Sequence, residues 1–230
     1  MGFQKIKDAF RYAGLYSGAT VGRVAGRIDK GRGEIAGKLY QLDTNEGANQ
    51  LHGGPYALDK VKWDYCIVEE PHVVHVVFSY EDQAGNNGYP GNLKVQVIHS
   101  YDDKNTWTIE YQATTDQETL FNPTNHVYFN LNGQMDQPVT NHFLQLNADA
   151  YLPLRKDGIP IGKQLNVSGT DFDLREGRFI EDIVSSQEAQ IRDSKGLDHP
   201  FLIEEQEVEV AMSLFLPEKK RYLEVRINQA

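Results

Sequence analysis

The sequence is poor in cysteine, in clustered positive charge and in long apolar runs. Its single cysteine, Cys66, excludes an intramolecular disulfide framework and a multi-cysteine metal site, and it favours a reducing compartment. The net charge is −10 with no basic stripe, which disfavours nucleic acid and anionic membrane surfaces as partners. No apolar run approaches the roughly 20 residues that span a bilayer, and the N-terminus has no signal-peptide pattern. These absences predict a cytoplasmic protein.

What the sequence does contain is alternation typical of strands. Its 230 residues, 40% of them hydrophobic, can bury one sizeable core, so we expect a single domain over residues 1–230. Helical spacing predicts one short helix over residues 3–13. Period-two segments separated by turn signals then predict an all-β fold, a largely antiparallel β-sandwich or barrel. The predicted strands are 73–80, 93–101, 106–113, 143–146, 208–216 and 222–227.

A glycine-rich stretch, residues 14–37, contains seven glycines together with Arg23 and Arg27. Its Gly-x-x-x-Gly spacing suggests phosphate binding, but no Gly-Lys-Ser/Thr follows and no strand-to-helix context is evident. From the residues alone, Arg23 and Arg27 are interpreted as surface arginines.

Two polar clusters stand out against this background. Residues 121–131 hold an amide, an imidazole, a phenol and a second amide among aromatics. The strand predicted before them puts Trp107, Ile109 and Tyr111 on one face, and Pro123 predicts that the ladder breaks or reaches an edge there. Such a density of directional groups is unusual in a purely structural strand, so this segment is a candidate site.

The second cluster, residues 45–55, is centred on His52. Gly53 and Gly54 permit a tight turn that leaves the imidazole projecting into a cavity, although a histidine in this setting is more often a loop residue bonded to backbone. The histidines in or beside predicted strands are interpreted as structural or surface residues: His72, His75, His99 and His142.

Five motifs together resemble the aldose 1-epimerases, the galactose mutarotases. They occur in the order and rough spacing of that family and cover most of the chain. The motifs are GATVGRVAGRI at 18–28, NQLHGG at 49–54, GYPGNL at 88–93, NPTNHVYFNL at 122–131 and GLDHPF at 196–201. The resemblance implies a large antiparallel β-sandwich and a cofactor-free, metal-free enzyme that interconverts the α and β anomers of free hexoses such as galactose and glucose.

The resemblance also implies residue roles. His126 matches the general acid at the ring oxygen, and His52 matches the second active-site histidine. Arg27 and Asp198 match residues that bind sugar hydroxyls, and Asn49 beside His52 is expected to bind substrate with them. We expect His52, His126, Arg27 and Asp198 to converge on one concave site.

The chemistry agrees with these residue types. Anomer exchange requires that the C1 hydroxyl lose a proton while the ring oxygen gains one, so that the ring opens, the C1–C2 bond rotates and the ring closes. Imidazole has the near-neutral pKa that this reversible transfer needs. Arginine and carboxylate groups can form charge-assisted hydrogen bonds to several hydroxyls at once.

The sequence departs from the family pattern at both ends. The family has strands before a Gly-Phe pair like Gly2-Phe3, and residues 223–230 resemble the strand that leads to the family's catalytic glutamate. We therefore expect a sandwich that is incomplete at both ends, is prone to self-association through unpaired edges, and lacks the general base. Smaller departures are Gly26 for asparagine and Gln50 for histidine.

Three functions remain open at this point. The first is a mutarotase, and the alternative is a catalytically impaired truncated remnant or carbohydrate-binding β-sandwich. A structural β-domain without ligand ranks last, because it leaves five polar motifs unexplained.

Overall fold

The computed structural model describes residues 5–134, 136–203 and 210–228. Strands dominate the described residues, which contain three short α-helices, so the all-β prediction is confirmed. The chain divides into two compact units, one ending at Tyr128 and the other beginning at Phe129. A single domain over residues 1–230 stays a prediction.

The first unit begins with the predicted short helix. This helix, α1, spans Ile6–Arg11, and the predicted position Phe3 lies outside the described residues. Ten strands follow: β1 (Thr20–Val21), β2 (Arg27–Ile28), β3 (Arg32–Ile35), β4 (Lys38–Gln41), β5 (Gln50–Leu51), β6 (Asp64–Glu70), β7 (Val73–Asp82), β8 (Leu93–Asp102), β9 (Trp107–Thr115) and β10 (Thr124–Asn125).

The largest sheet of the first unit is an antiparallel meander in the order β6-β7-β8-β9. Its register pairs Val97 with Tyr111 and His99 with Ile109, so the predicted apolar face of β9 is confirmed. Val95 and Val97 are buried there with Leu58 in a core cluster. The alternation in β7, β8 and β9 therefore builds the core of this unit.

Two features of this sheet differ from the sequence prediction. β6 was not predicted, because its centre is a continuous apolar run rather than an alternation. β9 ends at Thr115 and does not reach Asn122. Asn122 instead forms an isolated parallel bridge with Val24, immediately before Pro123.

Arg23 corrects the interpretation of a surface arginine. It is 1% exposed, and its guanidinium donates to the Asp82 carboxylate at 2.6 Å and to the carbonyl oxygens of Pro90 and Gly91 at 2.8 and 3.0 Å. Buried charge is tolerated only when it is paired and hydrogen-bonded, and Arg23 meets both conditions. The Gly-x-x-x-Gly stretch thus contains a structural cation.

The second unit has two antiparallel sheets, in the orders β14-β11-β16-β17 and β13-β12-β15. Its core centres on Tyr151 stacked on Phe172, with ring centroids 3.9 Å apart. The predicted strand at 208–216 is β16, and residues 204–209 lie outside the described residues. The elements are β11 (Phe143–Leu146), β12 (Ala150–Tyr151), β13 (Leu165–Asn166), β14 (Arg178–Phe179), α2 (Ile180–Val184), α3 (Ala189–Ser194), β15 (Phe201–Leu202), β16 (Met212–Leu216) and β17 (Arg221–Val225).

Candidate active site

His126 is positioned by a short strand pair in the first unit. β10 pairs antiparallel with β1, and His126 follows β10 directly. Its backbone N–H donates to the carbonyl oxygen of Ala19 at 2.9 Å, and its carbonyl oxygen accepts from the N–H of Gly18 at 2.8 Å. These two backbone hydrogen bonds therefore fix the position of the His126 main chain, and the residue is half-buried.

His52 is positioned by a second strand pair, β2 with β5. It follows β5 with φ +52°, in the left-handed region, and Gly53 and Gly54 also have positive φ. A Cβ on Gly53 would lie 1.9 Å from the carbonyl oxygen of Gly22, so no larger residue fits there. The predicted tight turn after His52 is confirmed.

The two histidines come together. Their ring centroids lie 5.2 Å apart with the ring planes at 89°. They are 74 positions apart in the sequence, and a different strand pair positions each ring. The first unit therefore brings His52 and His126 together, as the family resemblance predicted.

The backbone of Gly26 sets the tautomer of His52. The N–H of Gly26 donates to Nδ1 of His52 at 3.1 Å, and the N–H of His52 donates to the carbonyl oxygen of Gly26 at 2.9 Å. Because Nδ1 is an acceptor, the proton of the neutral ring is on Nε2. These bonds use main-chain atoms of Gly26, so they do not depend on the side chain that is usual at that position.

The electrostatic surroundings keep His52 neutral. Burial, followed by the neighbouring His126 and Arg27, lowers the pKa of His52 to about 4. Asp59 and Glu46 act in the opposite direction but do not outweigh these causes. At neutral pH the ring is therefore a hydrogen-bond donor through Nε2–H and carries no charge.

Arg27 lies on β2, half-buried and within electrostatic reach of His52. Its Nη2 donates to Oε1 of Glu46 at 2.8 Å, and its Nε donates to the other carboxylate oxygen. This two-point pairing fixes the plane of the guanidinium. Arg27 is therefore a partly exposed arginine held in an ion pair, and its role in binding sugar hydroxyls stays a prediction.

Asn49 and Asp198 are placed differently from these three residues. Asn49 is 4% exposed, and its side-chain oxygen accepts from the N–H of Lys30 at 3.0 Å. Asp198 belongs to the second unit, where it is exposed in the turn after α3. Their roles in substrate binding stay predictions.

Aromatic rings surround the imidazole pair, and the sequence patterns did not predict them. Tyr16 lies 4.7 Å from the His52 ring and 5.7 Å from the His126 ring, and Tyr128 lies 5.1 Å from His126. The Tyr128 hydroxyl donates to the carbonyl oxygen of Leu15 at 3.0 Å. Their positions in the sequence were the available signal, since Tyr16 lies two residues before the motif at 18–28 and Tyr128 lies inside the NPTNHVYFNL motif.

The described residues lack two features of other classes of protein. No helix there is long and apolar enough to cross a membrane. In the same residues, no group of three or more histidine, cysteine or acidic side chains is arranged to hold a metal ion.

The described residues thus form an all-β protein with two neighbouring imidazoles and an arginine fixed by a carboxylate. The aldose 1-epimerase family matches over residues 1–230, and the chain belongs to that family. It is 38% identical over 197 residues to the aldose 1-epimerase of Escherichia coli, covering 86% of this chain and 56% of that protein. It is 42% identical over 205 residues to mouse galactose mutarotase, covering 89% and 57% respectively.

Solved structures agree on the fold. The galactose 1-epimerase from Lactobacillus acidophilus superimposes with a TM-score of 0.85 at 35% identity, covering 93% of this chain and 62% of that one. A C. elegans aldose epimerase homologue gives 0.82 at 32% identity, covering 95% and 64%. The predicted galactose mutarotase-like β-sandwich is thus confirmed. The chain spans a little over half the length of the relatives it matches, 56% for the E. coli protein.

Proposed function

We propose that this chain is an aldose 1-epimerase that interconverts the α and β anomers of free hexoses such as galactose and glucose. The observation that carries the proposal is the perpendicular imidazole pair, His52 and His126, at 5.2 Å. Family membership and the names of its relatives support the same activity.

In the proposed reaction, His126 donates a proton to the ring oxygen of the sugar. The C1 hydroxyl loses its proton, the bond between C1 and the ring oxygen breaks, and an open-chain aldehyde forms. Rotation about C1–C2 presents the other face of the carbonyl, and closure returns the proton to His126. Each positioned acid or base contributes about 10²–10⁴-fold to such a reaction.

His52 has a different role because it is held neutral. Its Nε2–H donates a hydrogen bond to a sugar oxygen without adding charge, and the Gly26 N–H prevents the ring from changing tautomer. Arg27, fixed by Glu46, binds a second hydroxyl, with Asn49 as a further substrate-binding residue. A preorganised donor of this kind stabilises charge that develops on oxygen.

The two carboxylates that raise the pKa of His52 are each paired with a cation, Glu46 with Arg27 and Asp59 with Lys60. We therefore propose that solvent accepts the C1 proton. A rate about 10²–10⁴-fold below that of an enzyme with a positioned base follows from this proposal.

Polarimetry tests the proposal. Freshly dissolved α-glucose and α-galactose are followed with wild-type chain, His126→Gln and a control, His72→Asn. His72 is exposed with φ +78°, a conformation that asparagine tolerates. We expect acceleration by wild type and by His72→Asn, and its loss in His126→Gln. Sugar binding by titration calorimetry without any acceleration would instead identify a carbohydrate-binding β-sandwich.

A further inference from the structure

Tyr16 contacts both imidazoles of the candidate active site. Its ring meets His52 in an edge-on contact, with centroids 4.7 Å apart and planes at 67°. It lies 5.7 Å from His126 with the planes at 33°. Together with the 5.2 Å between the histidines, these contacts close a triangle of three rings.

A backbone turn and a neighbouring cation also hold Tyr16 in place. Its backbone is left-handed, with φ +52° and ψ +22°, at the end of the 3-10 turn Ala13–Leu15. The Lys60 ammonium lies 5.3 Å from the centroid of its ring, a cation–π contact. Lys60 is itself tied to the Asp59 carboxylate at 2.9 Å. Tyr16 is thus a non-glycine residue with left-handed backbone angles. Residues in such sparsely populated φ/ψ regions cluster at functional sites.

We propose that Tyr16 is a positioning residue that fixes the relative orientation of the His52 and His126 imidazoles. This inference rests on the proposed mutarotase function. The ring carries the effect, because the Tyr16 hydroxyl has no hydrogen-bond partner among the described residues. Tyr16 also shields His52 from water, and burial is the largest cause of the low pKa of that histidine.

The expected effect is on turnover rather than on binding. Misplacing a reacting group by 1 Å can cost about 10²-fold in rate. Tyr16→Leu removes the ring and should lower kcat by about that factor with little change in KM. Tyr16→Phe keeps the ring and should keep kcat. Tyr101→Leu is the matched control, because Tyr101 is 55% exposed on β8 and its hydroxyl donates to the side chain of Asn105.

The experiment measures kcat and KM by polarimetry and the His52 pKa by NMR titration for these four proteins. We expect the His52 pKa to rise from about 4 toward its ordinary value near 6.5 in Tyr16→Leu only. Unchanged kcat and an unchanged His52 titration in Tyr16→Leu would overturn the proposal. Equal losses in Tyr16→Phe and Tyr16→Leu would overturn it too, since the hydroxyl would then carry the effect.

A measurement on wild type covers the case in which Tyr16→Leu does not fold. Nuclear Overhauser contacts from the Tyr16 ring protons to both imidazoles are expected, and their absence would refute the assignment. These NMR readouts do not require turnover. If the wild-type protein showed no mutarotase activity, the proposed function would be refuted. The NMR contacts would still test whether Tyr16 positions the two rings.

Discussion

The imidazoles of His52 and His126 stand at right angles, 5.2 Å apart, although separate strand pairs deliver them. Two neighbouring imidazoles that were both protonated would repel each other, and His126 is one of the causes that lower the pKa of His52. In the proposed function, His52 is therefore the neutral hydrogen-bond donor and His126 is the group that transfers the proton.

The charge state of His52 gives the first prediction. NMR titration should show its pKa at about 4, so the ring stays neutral throughout the physiological range. The unfolded ring, near 6.5, takes up its proton first as the pH falls. His52 therefore lowers the free energy of unfolding progressively between about pH 6.5 and pH 4, and contributes its full stabilisation above that window.

Arg27→Met extends this measurement. Removing the positive charge near the ring should raise the His52 pKa, since Arg27 is one cause of its depression. Arg32→Met, at an exposed arginine on β3, is the control and should leave the titration unchanged. A His52 pKa that does not move in Arg27→Met would show that burial and His126 account for the whole shift.

Arg23 gives a prediction on stability. Arg23→Met strands the buried Asp82 carboxylate and should cost about 3–5 kcal/mol in urea unfolding. Arg23→Met/Asp82→Leu should cost less than the single variant, because it leaves no unpaired charge. A loss within 0.5 kcal/mol for Arg23→Met, the range typical of surface sites, would contradict the buried pairing.

Gly53 gives a prediction on backbone geometry. Gly53→Ala places a methyl group against the Gly22 carbonyl at a position with φ +92°, so His52 should shift and mutarotation should fall with stability. Gly37→Ala is a matched control at φ +72°, with nothing within 4 Å of the added carbon. It should cost about 1 kcal/mol for left-handed strain alone. Equal losses in the two variants would mean that the Gly22 contact is unimportant.

Strand β6 gives a prediction on association. It is the outer strand of the described meander, all seven of its residues are exposed, and Tyr65 and Ile67 are 68% and 57% exposed. Such an edge invites pairing between chains. We expect concentration-dependent association in analytical ultracentrifugation that Ile67→Lys weakens. Leu39→Lys, on the separate β3-β4 hairpin, should not, and a monomer at all concentrations would contradict the prediction.

The sequence predicted the elements that repeat a simple period. Alternation identified β7, β8, β9 and β11 to within two residues at either end, because side chains on a half-buried strand must alternate. It missed β6, whose apolar run does not alternate, and the short helices of the second unit. Family motifs placed His52 and His126 as neighbours, which no local pattern could have done.

The remaining features depend on contacts that a single stretch of sequence does not encode. The local sequence favours a surface position for Arg23. Its burial depends on contacts with Asp82 and Pro90, which lie far from it in the sequence. Nothing in the sequence distinguishes Tyr16 from the other eleven tyrosines. Only the fold places its ring against two histidines. Both are long-range outcomes of folding, and the same is true of the tautomer of His52.

The hydrogen bond from Tyr128 to Leu15 joins groups 113 positions apart, and the β1–β10 pair beside His126 spans a similar distance. The meander β6-β7-β8-β9, in contrast, connects successive strands through short turns. Long loops close slowly and late, whereas local hairpins form first. We therefore expect the imidazole pair to form late in folding. A refolding chain should regain its sheet circular dichroism before it regains catalysis.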